Sequence, residues 1–153
     1  MTRTGEPAQG PDEIGPSVTA GADRSTSLRV GIDLVQLSRV AESLATFGER
    51  FLTRVFTPDE VAYATAAPSE TVPRLAARLA AKEAAKKALS IEGIGWRDIE
   101  VRRAPSGAPS LRLHGAAAAA APDSDLAVSL SHEGDYATAV VVMHLRPAPS
   151  PTP

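Results

Sequence analysis

The segment of residues 73–89 restricts the fold of this chain more than any other part of the sequence. It begins with Pro73, consists mostly of alanine and leucine with interspersed charged residues, and has no internal glycine, which strongly favours a helix. Short apolar stretches separated by glycine and proline follow it, and these are typical of strands. Helices precede most of the strands instead of alternating with them. The sequence therefore predicts an α+β domain with an antiparallel sheet packed against one long helix.

The first strand is predicted from strict alternation over residues 28–35. Its apolar side chains share one face, which we expect to be the core face: Leu28, Val30, Ile32 and Leu34. The other face carries Arg29, Gly31, Asp33 and Val35. Later strands are expected at residues 99–103, 110–113, 126–131 and 136–145, with a short alanine helix at 115–121.

A helix is expected directly after the first strand. Ser38 has the side chain of an N-cap, and Val40, Leu44 and Phe47 have the spacing of a buried helix face. Gly48 is expected to end this helix.

The clearest helix start lies at Thr57. Thr57 is the expected cap, Pro58 occupies the first helical position, and Glu60 completes a capping box. We therefore expect a second helix to begin at Pro58.

The composition excludes several classes of protein. With 153 residues, 16 basic and 18 acidic residues and a net charge of −2, nothing global indicates a nucleic-acid-binding protein. The absence of cysteine excludes disulfides, thiolate metal sites and cysteine nucleophiles. No apolar run approaches the roughly 20 residues of a membrane span, and the first residues lack the apolar segment of a secretory signal. We expect a cytoplasmic protein that does not bind membranes.

The two ends of the chain differ from its centre. Residues 1–27 are polar and rich in Gly, Pro, Ser and Thr, and residues 146–153 contain four prolines. Such segments bury too little apolar surface to offset the entropy lost on ordering. We therefore expect disordered tails at 1–27 and 146–153 around one globular domain of residues 28–145.

Within the long helix, Glu83 is an unusual carboxylate. It continues a face of small and apolar residues that includes Ala76, Leu79 and Ala80. A carboxylate on such a face must be paired, neutralised or bound to a cation. Lys87, four residues on, can pair with it. An ordinary surface ion pair explains the same two residues.

A basic stripe lies on another side of the same helix. Arg78, Lys82 and Lys86 follow one another at four-residue spacing, an arrangement that suits a polyanion. A solvated helix face is the simpler interpretation.

Asp33 is the second candidate site residue. It lies on the face of the first strand that also carries Gly31, where no side chain crowds the neighbouring space. A carboxylate beside open space suits a hard cation such as Mg²⁺, which prefers oxygen ligands. A solvent-facing aspartate on an edge strand is the alternative.

The third candidate is the strand end Val128-Ser-Leu-Ser-His132. Its hydroxyls, amides and imidazole can line a phosphate or adenine site. A serine–histidine nucleophile pair would need a strand–Gly-x-Ser-x-Gly–helix setting, which this segment lacks.

In combination these segments resemble the holo-acyl-carrier-protein synthase family of phosphopantetheinyl transferases, over almost all of residues 28–145. The matching segments are Val30-Gly-Ile-Asp-Leu-Val35 with Arg39, Arg50-Phe-Leu-Thr-Arg-Val-Phe-Thr57 with Glu60, Arg78-Leu-Ala-Ala-Lys-Glu-Ala-Ala-Lys-Lys-Ala-Leu89, Gly93-Ile-Gly-Trp-Arg-Asp-Ile-Glu-Val101, Gly107-Ala-Pro109, and Val128-Ser-Leu-Ser-His132 with Tyr136-Ala137. The two polar tails and Pro58 depart from the family pattern.

The resemblance implies the 4′-phosphopantetheinyl transferase fold and a role for each matching residue. Asp33 and Glu83 are implied to bind Mg²⁺ together with the diphosphate of coenzyme A and water, and Lys87 to contact that diphosphate as the third catalytic residue. The residues implied to bind coenzyme A are Arg78, Lys82, Lys87, Ser129, Ser131 and His132. The residues implied to dock the acyl carrier protein are Arg39, Arg50, Phe51 and Arg54, whose charges would steer an acidic partner.

The implied reaction moves the 4′-phosphopantetheine group of coenzyme A to a serine of an apo acyl carrier protein and releases 3′,5′-ADP. The base that takes the serine proton stays open between Glu83, Glu60 and a water on the metal ion. The resemblance also implies a homotrimer with active sites between protomers, in which Asp33 and Glu83 come from one protomer and His132 from the next. Whether the carrier serves fatty-acid, polyketide or another synthesis is not distinguished.

Two other functions compete with this one. A non-catalytic module could bind coenzyme A or a carrier protein, although it would need neither Asp33 nor Glu83. An unrelated Mg²⁺-dependent phosphotransferase is the second, and the chain has no Gly-x-x-x-x-Gly-Lys-Ser/Thr loop for P-loop chemistry.

Overall fold

The computed structural model describes residues 27–122 and 124–145. The predicted tails fall on residues 1–26 and 146–153, outside the described residues, whereas Ser27 already belongs to the first strand. None of the helices in the described part is long and apolar enough to cross a membrane.

The described chain forms five helices and five strands. In order they are β1 (Ser27–Gln36), α1 (Leu37–Phe47), α2 (Glu49–Val55), α3 (Pro58–Thr65), α4 (Thr71–Leu89), β2 (Ile99–Arg103), β3 (Pro109–Leu113), α5 (Gly115–Ala120), β4 (Ser124–Glu133) and β5 (Tyr136–Leu145). Short 3₁₀ turns at Pro68–Glu70 and Trp96–Asp98 precede α4 and β2. The predicted strands and the long helix are confirmed to within about two residues at each end, while α2 was not predicted.

Two antiparallel sheets pack around α4. The larger has the strand order β1-β5-β4, and β2 and β3 form a separate hairpin. β5 is the central strand of the three and pairs with β1 so that Asp33 lies opposite Ala139. The predicted α+β class with an antiparallel sheet on a long helix is confirmed, with two sheets in place of one.

Alanine makes the close packing around α4 possible. The helix is buried on nearly all sides, and its alanines from 76 to 88 are 0–8 % exposed. Its first half packs with α1, α2 and α3, and its second half with the sheet. Because alanine adds only a methyl group, neighbouring backbones can approach the helix directly.

The predicted orientation of β1 is wrong. Leu28, Val30, Ile32 and Leu34 are 59–63 % exposed, and the opposite face of the strand lies against α4. The reason is the small residue at position 31: a Cβ added to Gly31 would lie 1.9 Å from the carbonyl oxygen of Ala84. Only a strand with glycine there can lie on the helix backbone. The open space predicted beside Asp33 is therefore filled by α4.

The helix ends follow the predicted signals at two of three positions. The capping box of Thr57 and Glu60 is present with Pro58 at the start of α3, and α1 ends at Gly48 with φ 51°. Ser38, in contrast, is not an N-cap. The cap residue of α1 is Gln36, which makes no side-chain capping bond.

Candidate active site

The strand β1 runs along α4 in the antiparallel direction. The guanidinium of Arg29 donates a hydrogen bond to the carbonyl of Leu89 at the C-terminal end of the helix, at 3.1 Å. Gly31 then lies against Ala84, one turn further back. Arg29 therefore meets a later part of α4 than Gly31 does.

Asp33 and Lys87 are joined by this packing. The Lys87 ammonium lies 2.8 Å from Oδ1 of Asp33 and donates a second hydrogen bond, also of 2.8 Å, to the carbonyl of Ile32. The carboxylate is 18 % exposed and the lysine side chain 55 %. The sequence suggested Glu83 as the ion-pair partner of Lys87. In the structure Lys87 forms its ion pair with Asp33 instead.

Glu83 directly precedes Ala84, whose backbone contacts Gly31 of β1. The step from Gly31 to Asp33 covers about 6.6 Å of strand, which is slightly more than one helical turn of about 5.4 Å. From this spacing we expect Asp33 to lie beside the turn of α4 that contains Glu83. Glu83 also precedes Lys87 by four residues, on the same side of α4, and its side chain is half-buried.

The chemistry of these donors fits a small, hard cation. Mg²⁺ is commonly bound by one or two carboxylates and completes its octahedron with water and substrate phosphates. Asp33 and Glu83 supply two carboxylates of this kind. Among residues 27–122 and 124–145 no group of three or more His, Asp or Glu side chains could hold a metal ion.

Lys82 does not belong to a solvent-facing stripe. Its ammonium is fully buried, lies 2.8 Å from Oε2 of Glu60, and donates hydrogen bonds to the carbonyls of Trp96 and Ile99. Burial lowers the pKa of Lys82, while the charge of Glu60 opposes this shift. The predicted stripe is therefore interrupted, because its middle residue is an internal ion pair with no contact to solvent.

Glu60 is also buried, and both of its carboxylate oxygens have hydrogen-bond partners. Its Oε1 accepts a hydrogen bond from the amide of Val101 at 2.9 Å, and its Oε2 accepts one from the amide of Thr57 at 2.8 Å. The residue is 1 % exposed. A carboxylate with both oxygens bound in this way links α3, α4 and β2 and cannot reach a substrate proton.

Arg78 lines a cleft of about 320 Å³ around Tyr63. The guanidinium carbons of Arg78 and Arg74 lie 4.0 and 4.7 Å from the centre of the Tyr63 ring, and Arg103 donates a hydrogen bond of 2.8 Å to the tyrosine hydroxyl. Burial lowers the pKa of Arg78, against the effect of the nearby carboxylate of Glu60. Three arginines around one ring make this cleft strongly cationic.

One buried nitrogen beside the cleft has no hydrogen-bond partner. It is Nε of Arg78, the one such side-chain atom in the described part of the chain. Buried donors of this kind are normally satisfied, so Arg78 is an exception. The sequence pointed to Arg78 but not to Tyr63, Arg74 or Arg103, since these residues share no local motif.

His132 faces the same cleft, whereas the two serines before it do not. His132 and Leu130 line the cleft with Gly107 and Pro109. Ser129 and Ser131 alternate with them along β4 and are exposed on the outer face of the sheet. The structure thus separates the predicted strand-end site into two surfaces of one sheet.

The four predicted docking residues lie on neighbouring helices. Arg50 and Arg54 are exposed one turn apart on α2, and Arg39 is exposed in the first turn of α1. Phe51 is half-buried and packs edge-to-face on Phe56, with ring centres 5.7 Å apart. The structure therefore places the three arginines around an anchored aromatic ring.

A groove connects this rim with the end of β1. Its lining includes Arg39 and Phe51 together with Leu34 and Gln36 of β1, and Asp33 is not among the residues that line it. Phe47, predicted to be buried, is 58 % exposed and borders a second cleft with Arg50 and Arg54. The position of Phe47 at the end of α1 could have indicated this exposure, because side chains in the last turn of a helix are often only partly covered.

The sequence matches one family model over residues 29–141, that of the 4′-phosphopantetheinyl transferase superfamily. A holo-[acyl-carrier-protein] synthase of Koribacter versatilis is 43 % identical over 122 residues, which are 76 % of this chain and 97 % of that protein. The enzyme of the same name from Nitratidesulfovibrio vulgaris is 48 % identical over 120 residues, with 74 % and 95 % of the two chains covered.

Solved structures agree with the sequence comparison. The complex of an acyl-carrier-protein synthase with CoA from Chronobacterium ammoniagenes has a TM-score of 0.71 and 36 % identity, covering 78 % of this chain and 98 % of that one. The holo-[acyl-carrier-protein] synthase of Helicobacter pylori in complex with coenzyme A has a TM-score of 0.67 and 29 % identity, with 74 % and 98 % covered.

Proposed function

The chain belongs to the 4′-phosphopantetheinyl transferase superfamily, and from this membership we propose that it is a holo-[acyl-carrier-protein] synthase. It transfers 4′-phosphopantetheine from coenzyme A to a serine of an apo acyl carrier protein. The single observation that carries the proposal is the packing of β1 on α4, because it joins Asp33 to Lys87, which follows Glu83 by about one helical turn.

The reaction is a phosphoryl transfer to a hydroxyl group. The carrier serine oxygen forms a bond to the β-phosphorus of coenzyme A, the bond from that phosphorus to the bridging diphosphate oxygen breaks, and 3′,5′-ADP leaves. Charge grows on the leaving diphosphate oxygens as this happens. The ammonium of Lys87, exposed on one side, is well placed to stabilise that charge.

Asp33 and Glu83 would hold Mg²⁺ at this position. The metal ion would neutralise the diphosphate and help to align the attacking and leaving oxygens. In the absence of a diphosphate, Lys87 balances the charge of Asp33.

The cleft around Tyr63 suits the other end of coenzyme A. Its nucleotide carries an adenine ring and a 3′-phosphate, and the cleft offers cationic side chains and a buried, unpartnered Arg78 Nε. Arginine binds phosphate through paired hydrogen bonds. His132 and the Gly107–Pro109 turn add the opposite wall. Lys82 acts only indirectly, by holding Glu60 and the core in place.

The burial of Glu60 removes it from the candidates for the general base. Both of its oxygens are bound to buried donors. Glu83 is half-buried on the active-site side of α4 and is the carboxylate that remains for accepting the serine proton, either directly or through a water molecule.

The rim of Arg39, Arg50 and Arg54 around Phe51 would receive the carrier protein. Exposed arginines accelerate and orient the approach of an acidic partner, and a partly buried aromatic ring can act as an anchor. The groove lined by Phe51, Leu34 and Gln36 joins this rim to the strand that carries Asp33.

We infer that the active unit is a homotrimer with its sites between protomers. The outer face of the large sheet supports this inference, because it presents Leu28, Val30, Ile32 and Leu34 at about 60 % exposure. Val140 and Val142 extend the apolar surface across β5. A contiguous apolar surface of this kind marks an interface. The serines of β4 lie on the same face, so they would contact a neighbouring protomer.

The cytoplasmic location expected from the sequence stays a prediction.

A direct assay tests the proposal. The purified chain is incubated with coenzyme A, Mg²⁺ and an apo acyl carrier protein, and the carrier is weighed by mass spectrometry. We expect a mass gain of one phosphopantetheine on the carrier and release of 3′,5′-ADP. A folded preparation that modifies no carrier from fatty-acid or polyketide synthesis would contradict the proposal.

The competing function is a module that binds coenzyme A or a carrier without transferring anything. The same assay with Asp33→Ala and Glu83→Ala separates the two. A transferase loses product formation in both variants while carrier binding persists, whereas a binding module shows no product with the unmodified chain either.

A further inference from the structure

The tip of the β4–β5 hairpin is bonded to the junction between β1 and α1. The carbonyl of Asp135 accepts a hydrogen bond of 2.8 Å from the amide of Leu37. Its carboxylate accepts three more, from the amide of Ser38 at 2.9 Å, from the Ser38 hydroxyl at 2.8 Å and from Nε2 of Gln36 at 2.7 Å. One residue thus binds three consecutive residues almost one hundred positions earlier in the chain.

These bonds replace a cap that α1 lacks. The first amides of a helix have no partner within the helix, and Gln36 at the cap position makes no side-chain bond to them. The first turn of α1 also contains no acidic residue. Asp135 provides both the missing acceptors and a negative charge at the positive end of the helix dipole, from a different part of the fold.

The junction lies between the two halves of the proposed site. Asp33 is three residues before Gln36 on β1, and Arg39 is in the first turn of α1. The groove beside the docking rim is lined by Gln36, Arg39 and Tyr136, the residue that follows Asp135. A change in the angle between β1 and α1 would therefore move Arg39 relative to Asp33.

We propose that Asp135 is a positioning residue for the transfer reaction, which fixes α1 and Arg39 relative to Asp33 so that a docked carrier presents its serine at the carboxylate site. The inference rests on the proposed function. It assigns Asp135 no contact with either substrate, since its carboxylate oxygens are already occupied by Ser38 and Gln36.

The prediction concerns the carrier and not coenzyme A. Loss of the bonds frees the start of α1 and the position of Arg39. The cleft around Tyr63 is built from α3, α4 and β2 with Leu130 and His132 of β4, and the pairing of β4 with β5 holds these two residues without the Asp135 side chain. Small displacements of a positioned nucleophile cost about 10- to 100-fold in rate. Asp135→Ala should therefore lower kcat and raise KM for the carrier, each by about tenfold, with KM for coenzyme A unchanged.

The experiment compares Asp135→Ala with Glu133→Ala in steady-state assays that vary each substrate in turn. Glu133 is an exposed carboxylate in the same hairpin, so its removal controls for charge. Asp135→Asn is the partial rescue, because its amide oxygen still accepts from the Ser38 amide while its nitrogen cannot accept from the Ser38 hydroxyl. Hydrogen exchange at the Leu37 and Ser38 amides gives a readout independent of activity, and we expect faster exchange in Asp135→Ala alone.

The outcomes separate the two proposals. An unmodified chain without transferase activity overturns the proposed function. With transfer established, unaltered kcat and carrier KM in Asp135→Ala overturn the positioning role, and so does an equal rise in both KM values with a matching fall in Tm. If Asp135→Ala does not fold, Ser38→Ala removes one of the same bonds from the helix side. The proposal then requires that Ser38→Ala lower kcat and raise KM for the carrier while KM for coenzyme A stays unchanged.

Discussion

The ammonium group of Lys87 on α4 lies 2.8 Å from the carboxylate of Asp33 on β1, although 54 positions separate them in the sequence. This pair fixes the strand to the helix about one turn after Glu83. The lysine is half-exposed and its partner is mostly covered, so the charge of the lysine is the one accessible to a bound diphosphate.

Replacing Lys87 with methionine should lower kcat by about 100-fold, since loss of one preorganised charge partner at a reacting centre has effects of about 10²–10³. The fold should persist, because the lysine head is exposed to solvent. Rates are measured by release of 3′,5′-ADP at saturating coenzyme A. Lys86→Met is the matched control, because the Lys86 ammonium lies 3.9 Å from the Trp96 ring centre and not on Asp33. Equal rates for the two variants would refute a role for Lys87 in turnover.

Gly31 sets the distance between β1 and α4. A Cβ at this position would lie 1.9 Å from the carbonyl oxygen of Ala84 and 2.9 Å from the amide of Ala88, and backbone atoms cannot move aside as a flexible side chain would. We expect Gly31→Ala to destabilise the fold by at least about 3 kcal/mol, the upper end of overpacking effects, and to reduce transfer even where the protein is folded. Urea denaturation and the carrier assay measure the two effects.

The control for Gly31 is Gly93→Ala. Gly93 has φ 79° and nothing within 4 Å of an added Cβ, so alanine there adds only backbone strain of roughly 1–2 kcal/mol. A Gly31→Ala protein that is no less stable than Gly93→Ala would contradict the close approach of β1 to α4.

The orientation of β1 illustrates what a sequence cannot reveal. Alternation predicted the strand correctly, and apolarity then selected the wrong face as the inner one. The structure turns Arg29, Gly31 and Asp33 toward α4, which offers each of them a partner: the Leu89 carbonyl, a backbone surface and Lys87. These partners lie more than fifty residues away. No local pattern records them, and an apolar face left for another subunit looks the same in sequence as one left for the core.

Lys82 shows the same limit on the helix. On a helix built of alanine, a lysine at four-residue spacing from other basic residues has the pattern of a solvated stripe. Its burial depends on Glu60, which the sequence indicated as part of a capping box and as a candidate base, but not as the partner of a lysine. Asp33, Glu83 and Lys87, in contrast, are indicated by short motifs on the two elements that pack together, and their roles stay predictions.

The internal pair of Lys82 and Glu60 leads to a prediction about stability. Lys82→Met leaves a buried carboxylate without its partner, and removal of one member of such a pair typically costs about 3–5 kcal/mol. We expect a loss of this size in chemical denaturation, with KM for coenzyme A of the folded protein within about twofold of the original. A stable Lys82→Met protein with a tenfold higher KM for coenzyme A would instead indicate direct contact with the ligand.

The outer face of the sheet allows a test of assembly. Ile32 is 60 % exposed in the protomer, so an aspartate there should not disturb the core, but it would place a charge in an apolar interface. Ile32→Asp is expected to convert a trimer into monomers in size-exclusion chromatography with light scattering, and to abolish transfer. Ala120→Asp, at an exposed position of α5, should remain trimeric. An unmodified chain that is monomeric and fully active would exclude sites shared between protomers.

The bonds of Asp135 predict a distinct response to acid. Hydrogen bonds from the side chains of Ser38 and Gln36 lower the pKa of Asp135 below its ordinary value of 3.8. A carboxyl group with a lowered pKa in the folded state stabilises that state at pH values above 3.8, and this contribution disappears as the pH falls through the folded-state pKa. An NMR titration should therefore find Asp135 ionising below 3.8, with the Ser38 amide shift following the same curve. Ser38→Ala removes the largest cause of the shift and should raise the Asp135 pKa toward 3.8. Titration at or above 3.8 in the unmodified protein would mean that α1 is not capped by the hairpin in solution.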